Sequence, residues 1–438
     1  MIDLRDKQIL RIALPSIVSN ITVPLLGLID VTITGHMGGA AFVGAIAVGG
    51  MLFNIIYWLF VFLRMGTSGM TAQAFGARRL TEVVSVLLRA VAVAMVMSVL
   101  LLSLQVPVRE LSLSLIEPSA EVAFLARTYF NICVWGAPAS LLLFVLNGWF
   151  LGMQNSRAPM VIAILQNVAN ILLSLLFVYG FGMKIEGVAM GTVLAQYAGL
   201  LVGLFLLFRH YWRLRVYLRM DQVFTQASLV RFFMLNKDIF FRTLCLIFVH
   251  FYFIAMGAKN GDSALAVNAL IMQLFLLYSY IMDGFAFAGE ALVGKAIGAR
   301  ARMAFFETLK RLFAWGTVMM LLFTLLYSLF SQQFLYLLSD DPTVVKASEE
   351  YYLWSLLLPV CGMATFIWDG IYIGATATKG MLLSMAVGML TFFALNYLFS
   401  PSLGNHGLWL AFNGYILMRG VVQTIWFSRN KSFGVTWL

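Results

Sequence analysis

Charge is scarce in this chain. Only 11% of its 438 residues are Asp, Glu, Lys or Arg, where a soluble domain carries about a quarter. No stretch is polar enough to fold as a separate soluble domain. Cysteine is nearly absent: Cys133, Cys245 and Cys361 all fall in apolar runs and make no disulfide or metal-spacing pattern. The four histidines, His36, His210, His250 and His406, have no metal-like spacing either. There is no Walker A sequence, no HExxH and no GxSxG. These absences argue against an enzyme, a bound cofactor, a metal centre and an ATP site within the chain. What is abundant is hydrophobic sequence, at 62% of residues.

The apolar sequence is arranged in runs of about 20 residues or more, each long enough to cross a bilayer core of about 30 Å. Twelve spans are expected, at about 8–33, 41–75, 83–106, 122–152, 158–181, 187–208, 232–257, 263–294, 304–330, 347–375, 380–400 and 407–428. The fold class is therefore an all-α integral membrane protein. The first span carries Asp3 and Asp6 and lacks a small-residue cleavage site, so it reads as a retained helix rather than a secretory signal. The formal charge of +10 does not point to nucleic acid. Arg78-Arg79, Arg209/Arg213/Arg215/Arg219, Lys295/Arg300/Arg302 and Arg429/Lys431 all follow even-numbered spans, whereas the opposite loops are acidic or mixed. The positive-inside rule then puts both termini in the cytoplasm of a bacterial inner membrane. The segment 209–230 is the longest polar connection and divides the chain almost in half; basic and aromatic, it is expected to lie along the cytoplasmic interface.

The halves repeat. QAFGAR ends at Arg78 and KAIGAR ends at Arg300, an offset of 222. Gly148 and Gly152 of NGWFLG recur as Gly370 and Gly374 of DGIYIG at the same offset, and Gly187 recurs as Gly407 at an offset of 220. Six spans per half gives a parallel-topology repeat: two pseudo-symmetric six-helix bundles, residues 1–214 and 215–438, with the substrate path expected between them.

Ionisable groups within the hydrocarbon are costly, so each is a functional candidate. Asp30, in SNITVPLLGLIDVTITG, has no basic residue within a helical turn or two. A carboxyl so placed is suited to binding and releasing a proton or a cation. Pro15 and Pro24 in the same span remove helix hydrogen bonds and permit bending. Span 5 offers Asn167, Asn170 and Ser174, and span 6 offers Thr192 and Gln196; Asn170/Ser174 and Thr192/Gln196 are i,i+4 pairs, each on one helix face. Interhelical hydrogen bonding for packing is the competing reading of each. Toward the cytoplasmic side lie Asp283, Glu290 and Asp369, with Arg64 and Arg419 at comparable depth. They form either mutually neutralising ion pairs or a gate or second ion site.

The order of these features resembles the multidrug and toxic compound extrusion (MATE) transporters: Pro15 and Asp30 in span 1, TAQAFGAR ending span 2, NxxN in span 5, and GVAMGT opening span 6. SNITVPLLGLID, DGFAFAGEALVGKAIGAR and WDGIYIGATATKG are similar to the DinF subfamily in particular. The resemblance covers essentially the full chain. It implies a secondary exporter of cationic amphipathic compounds, driven by proton or sodium influx; two halves in one chain make a functional monomer sufficient. It further implies Asp30 as the coupling acid, Pro15 as the bending point, and Asn170 and Thr192 as polar groups of the same cavity. Relatives commonly carry an Asp where this chain has Ser174; the loss of one carboxylate favours the proton over sodium, because a hard cation seeks anionic oxygen ligands. The alternative function is a flippase for lipid or lipid-linked oligosaccharide, which would need a strongly basic cavity.

Overall fold

The computed structural model describes residues 4–35, 40–339, 341–430 and 433; within the first helix the side chains of residues 23–26, 28, 30 and 31 lie outside that description. Among the described residues the chain forms twelve long helices. We number them α1 (Leu4–Gly35), α2 (Ala41–Gly76), α3 (Leu80–Ser103), α4 (Ala120–Gly152), α5 (Arg157–Gly180), α6 (Ile185–Tyr211), α7 (Gln226–Lys259), α8 (Asp262–Gly298), α9 (Arg302–Leu329), α10 (Pro342–Gly374), α11 (Thr378–Leu403) and α12 (Asn405–Arg429). Each overlaps one expected span. The helix α1 is continuous through Pro15 and Pro24. Local departures from α geometry fall at a break after Leu59 in α2, a 3-10 turn at Val134–Gly136 in α4 and a π turn closing α5 at Leu176–Gly180.

Contacts group the chain into two compact units, Val18–Phe233, and Met1–Ile17 with Met234–Leu438. The sequence repeat places its boundary in the connector after α6. The contacts assign the start of α1 to the unit of the C-terminal helices, and polar bonds explain why. Arg5 Nε donates to Glu307 at 3.0 Å, and Asp6 accepts from Trp315 Nε1 at 3.1 Å and Arg311 at 3.4 Å.

The repeat is written into backbone geometry. Arg78, Gln154, Arg300 and Thr376 all have positive φ, between 54° and 63°, and they form two pairs at the 222 offset. Each ends a helix with the same bonds: Arg79 N to Ala74 O (3.0 Å), Asn155 N to Phe150 O (2.8 Å), Ala301 N to Ala296 O (2.9 Å) and Ala377 N to Tyr372 O (2.9 Å). These are Schellman caps, which satisfy carbonyls that a helix end leaves open. The glycine pairs match too. A methyl group on Gly148 would overlap the Arg64 carbonyl oxygen, and one on Gly370 the Ala286 carbonyl oxygen. A Cβ on Gly152 would sit 2.7 Å from Ser68 O, and one on Gly374 2.7 Å from Glu290 O. Glycine thus lets α4 close on α2, and α10 on α8, at backbone contact, the small-residue packing that membrane helices use in place of a hydrophobic drive.

Candidate functional site

In the unit Val18–Phe233 the polar residues of α5 and α6 come together. Asn170 Nδ2 donates to Thr192 Oγ1 at 3.1 Å, and Thr192 Oγ1 donates to Val188 O at 3.0 Å. Asn170 and Ser174 are buried. The Ser174 hydroxyl lies where only glycine fits opposite: a Cβ on Gly191 would stand 2.5 Å from Ser174 Oγ. Asn167 reaches a different helix, donating from Nδ2 to the Thr22 carbonyl of α1 at 3.0 Å. Gln196 is buried against Gly136 of α4, within electrostatic reach of the Tyr57 hydroxyl, which also faces Ser140. Asn170 Oδ1, Ser174 Oγ and Gln196 Oε1 are buried without a hydrogen-bond partner among the described residues. Such atoms each cost about 1–3 kcal/mol in a dry interior and mark a place where a further polar group belongs. The side chains of Asp30 and Pro24 lie outside the described residues; Pro15 sits in α1 two residues before the end of the segment grouped with Met234–Leu438.

The corresponding positions of the second half are filled differently. At the 222 offset, Asp30 and Asn170 correspond to Tyr252 and Phe392; at the 220 offset of the last helix, Thr192 corresponds to Phe412. Tyr252 and Phe392 pack edge-on with centroids 5.9 Å apart, and Phe392 and Phe412 belong to one buried cluster with Phe253, Trp409 and Tyr415. On the rim of the aromatic group, Asn396 Nδ2 donates to Tyr252 Oη at 3.4 Å. Among the described residues, the first bundle keeps unfilled polar valence at this position and the second closes it with rings.

The second half is instead charged at another position. Asp369 of α10 accepts at Oδ2 from Arg419 of α12 (2.7 Å) and Arg242 of α7 (2.5 Å), and at Oδ1 from Gln423 (2.6 Å). Arg419 also donates to Tyr415 Oη at 3.4 Å, and Asp283 lies within electrostatic reach of it. All three charged residues of the clamp are buried. The counterparts of Asp369, Arg242 and Arg419 in the first half are Asn147, Asn20 and Gly199. Space for the Arg419 stem comes from Gly388, whose Cβ would meet Arg419 Cγ at 2.7 Å; in the first half the large partner sits on the opposite helix, with Gln166 against Gly199.

Of the residues expected to form ion pairs, Asp369 and Arg419 are therefore joined and Asp283 is close by. Glu290 is buried on α8 with its carbonyl against Gly374. Arg64 belongs to the other unit. Sequence reading missed Arg242, although it stands ten residues inside the span expected at 232–257, and Gln423, although it is i+4 from Arg419. It also missed Asp238, buried and accepting from Thr378 Oγ1 at 2.9 Å, and Arg89, buried in α3. The signal was available in each case: an ionisable residue, or for Gln423 a polar amide, inside an apolar span.

Comparison with known proteins adds the following. The family model described as MatE matches residues 15–176 and 239–398, once in each half. The chain is 37% identical to DNA damage-inducible protein F of Escherichia coli (strain K12) over 423 residues, 96% of this chain and 92% of that one. It is 22% identical to a probable multidrug resistance protein NorM of Thermotoga maritima, over 97% of this chain and 92% of that one. Among solved structures, a MATE protein in the bent conformation superposes with a TM-score of 0.89 at 19% identity, covering 99% of this chain and 97% of that one. An outward-facing multidrug resistance MATE family transporter of the MOP superfamily gives 0.84 at 19% identity, covering 97% and 96%.

Proposed function

We propose, from the premise that this chain belongs to the MatE family of membrane transporters, that it exports cationic amphipathic compounds from the cytoplasm in exchange for protons. Membership makes it a multi-pass membrane transporter rather than an enzyme. The coupling ion, the substrate class and the residues are our reading. The observation that supports it best is the Asn170–Thr192 bond with Asn170 Oδ1 and Ser174 Oγ buried beside it and without a partner among the described residues. A carboxyl that is alternately protonated and ionised can use both: a hydroxyl donor when charged, an amide acceptor when neutral. Asp30 is the acid we assign to that role. The aromatic filling around Tyr252, Phe392 and Phe412 supports placing ion coupling in the first half alone.

In the cycle we envisage, Asp30 takes up a proton from outside and loses its attraction for a cationic substrate, which leaves. The transporter reorients, the proton escapes to the cytoplasm and a new substrate binds. Proton and substrate need only favour different states for exchange to be coupled. A monomer is sufficient, with both termini cytoplasmic in a bacterial inner membrane. The test is export of a fluorescent cation such as ethidium from proteoliposomes under an imposed pH or sodium gradient, for wild type and Asp30→Asn. Movement driven by the pH gradient and lost in the variant is expected. Movement with sodium alone would replace the proton by sodium. No dye movement from folded protein, with scrambling of a labelled lipid, would favour a flippase.

A further inference from the structure

The connector that follows α6 is fixed in place yet leaves its cations unanswered. A 3-10 turn, Trp212–Tyr217, leads into one helical turn, Met220–Val223. Its start is held by Tyr211, whose hydroxyl accepts from Asn155 Nδ2 at 3.1 Å and whose ring stands edge-on to Trp149 at 4.9 Å. Its end is held by Arg89: the buried guanidinium donates from Nε to Val223 O at 2.9 Å, while NH1 faces Glu82 at 3.5 Å. Between these anchors the side chains are open. Val216 is 76% exposed, Met220 64%, Trp212 50% and Phe224 49%. Interleaved with them are Arg213, Arg215 and Arg219, with Arg209 just before at the end of α6, all exposed, against the single acid Asp221. None of the four makes an ion pair among the described residues; the near neighbour found is the Trp212 ring, 4.3 Å from the Arg215 guanidinium. An exposed arginine need not be left so: Arg127 of α4 pairs with Glu110 of the helix Gln105–Ile116 at 2.9 Å.

We propose that this connector is a binding surface for anionic phospholipid headgroups. The two halves of its chemistry conflict in water and agree at a bilayer surface. Guanidinium forks pair with phosphate oxygens. Trp and Tyr settle at headgroup depth, where the ring is in the apolar region and the polar atom in the wet one. Val216, Met220 and Phe224 would meet acyl chain. A nucleic acid or an acidic protein would answer the arginines and leave those apolar side chains in water, and free phosphate would do the same. Pinning by Arg89 and Tyr211 means that little chain order is lost on binding, which favours retention of individual lipids over loose surface attraction.

The test reads lipid retention, not transport, so its outcome is separate from that of the export assay. The full chain is released from nanodiscs containing phosphatidylglycerol and phosphatidylcholine, and bound lipid is counted by native mass spectrometry. Wild type should retain phosphatidylglycerol, and Arg213→Gln/Arg215→Gln/Arg219→Gln should retain about tenfold less. The control Arg302→Gln, at the start of α9, should behave as wild type. Equal retention by the triple variant would overturn the proposal. So would displacement of the lipid by millimolar inorganic phosphate, which would make the surface a phosphate site. Should the triple variant fold poorly, a photoactivatable phosphatidylglycerol on wild type decides the matter: crosslinks should map to residues 209–224, and crosslinks only elsewhere would refute it.

Discussion

Asp369 and Arg419 form a buried ion pair across α10 and α12, nitrogen to oxygen 2.7 Å, and a second guanidinium, Arg242 of α7, closes on the same carboxylate oxygen. One carboxylate thus ties three helices of the second bundle. Removing one member of a buried charge group strands the others, and the cost is about 3–5 kcal/mol. Asp369→Asn should therefore lower thermal stability in detergent markedly. Arg419→Gln should cost less, since Arg242 still neutralises the acid. Equal, small effects of both would mean that the clamp contributes little to folding.

Gly370 packs against the Ala286 carbonyl, as Gly148 does against Arg64. Alanine at either position must push backbone from backbone, because the obstacle is not a flexible side chain. Gly370→Ala and Gly148→Ala should each destabilise by about 1–3 kcal/mol. Thermal unfolding of the two variants checks both the size and the predicted similarity.

Arg300 holds φ at 54° in its cap and is exposed. A side chain in that region costs about 1–2 kcal/mol, which glycine avoids while giving back part through a freer unfolded chain. Arg300→Gly should raise the melting temperature slightly, and a decrease would show that the arginine makes a stabilising contact elsewhere.

Glu110 has its carboxyl held below the usual range, first by the hydrogen bond from Arg127 and then by that from Arg109. A folded-state pKa below the unfolded one stabilises at pH above the ordinary carboxylate value of about 4.3, and that contribution is lost as pH falls through the folded value. Wild type and Glu110→Gln should therefore differ in melting temperature at pH 6 and converge as the pH is lowered below 4. The group is exposed, so the difference should be small.

Ser174 is buried beside Gly191, with its hydroxyl unpartnered among the described residues. If the absence of a carboxylate there is what disfavours sodium, Ser174→Asp should add sodium-driven dye export to proton-driven export. Unchanged ion dependence in a folded variant would dissociate this position from ion choice.

The amino-acid sequence by itself determined the membrane class, the twelve helices and the repeat. Those properties follow from local physics: run length against bilayer thickness, and glycines recurring at 222 residues. It also singled out the α5 and α6 polar residues, because a polar side chain in an apolar run is visible without coordinates. Which of those groups touch was a matter for tertiary structure. Asn170 met Thr192 across two helices, while its sequence neighbour Asn167 turned to the Thr22 carbonyl of α1. Arg242 joined Asp369 across 127 residues of chain, a pairing with no local signature. The different fates of the two halves also needed the folded chain. Tyr252, Phe392 and Phe412 are unremarkable aromatics in sequence, and only their packing shows that rings occupy in one bundle the place that polar groups hold in the other. Hydrophobic length is a property of a segment; complementarity between segments exists only once the helices have chosen their neighbours.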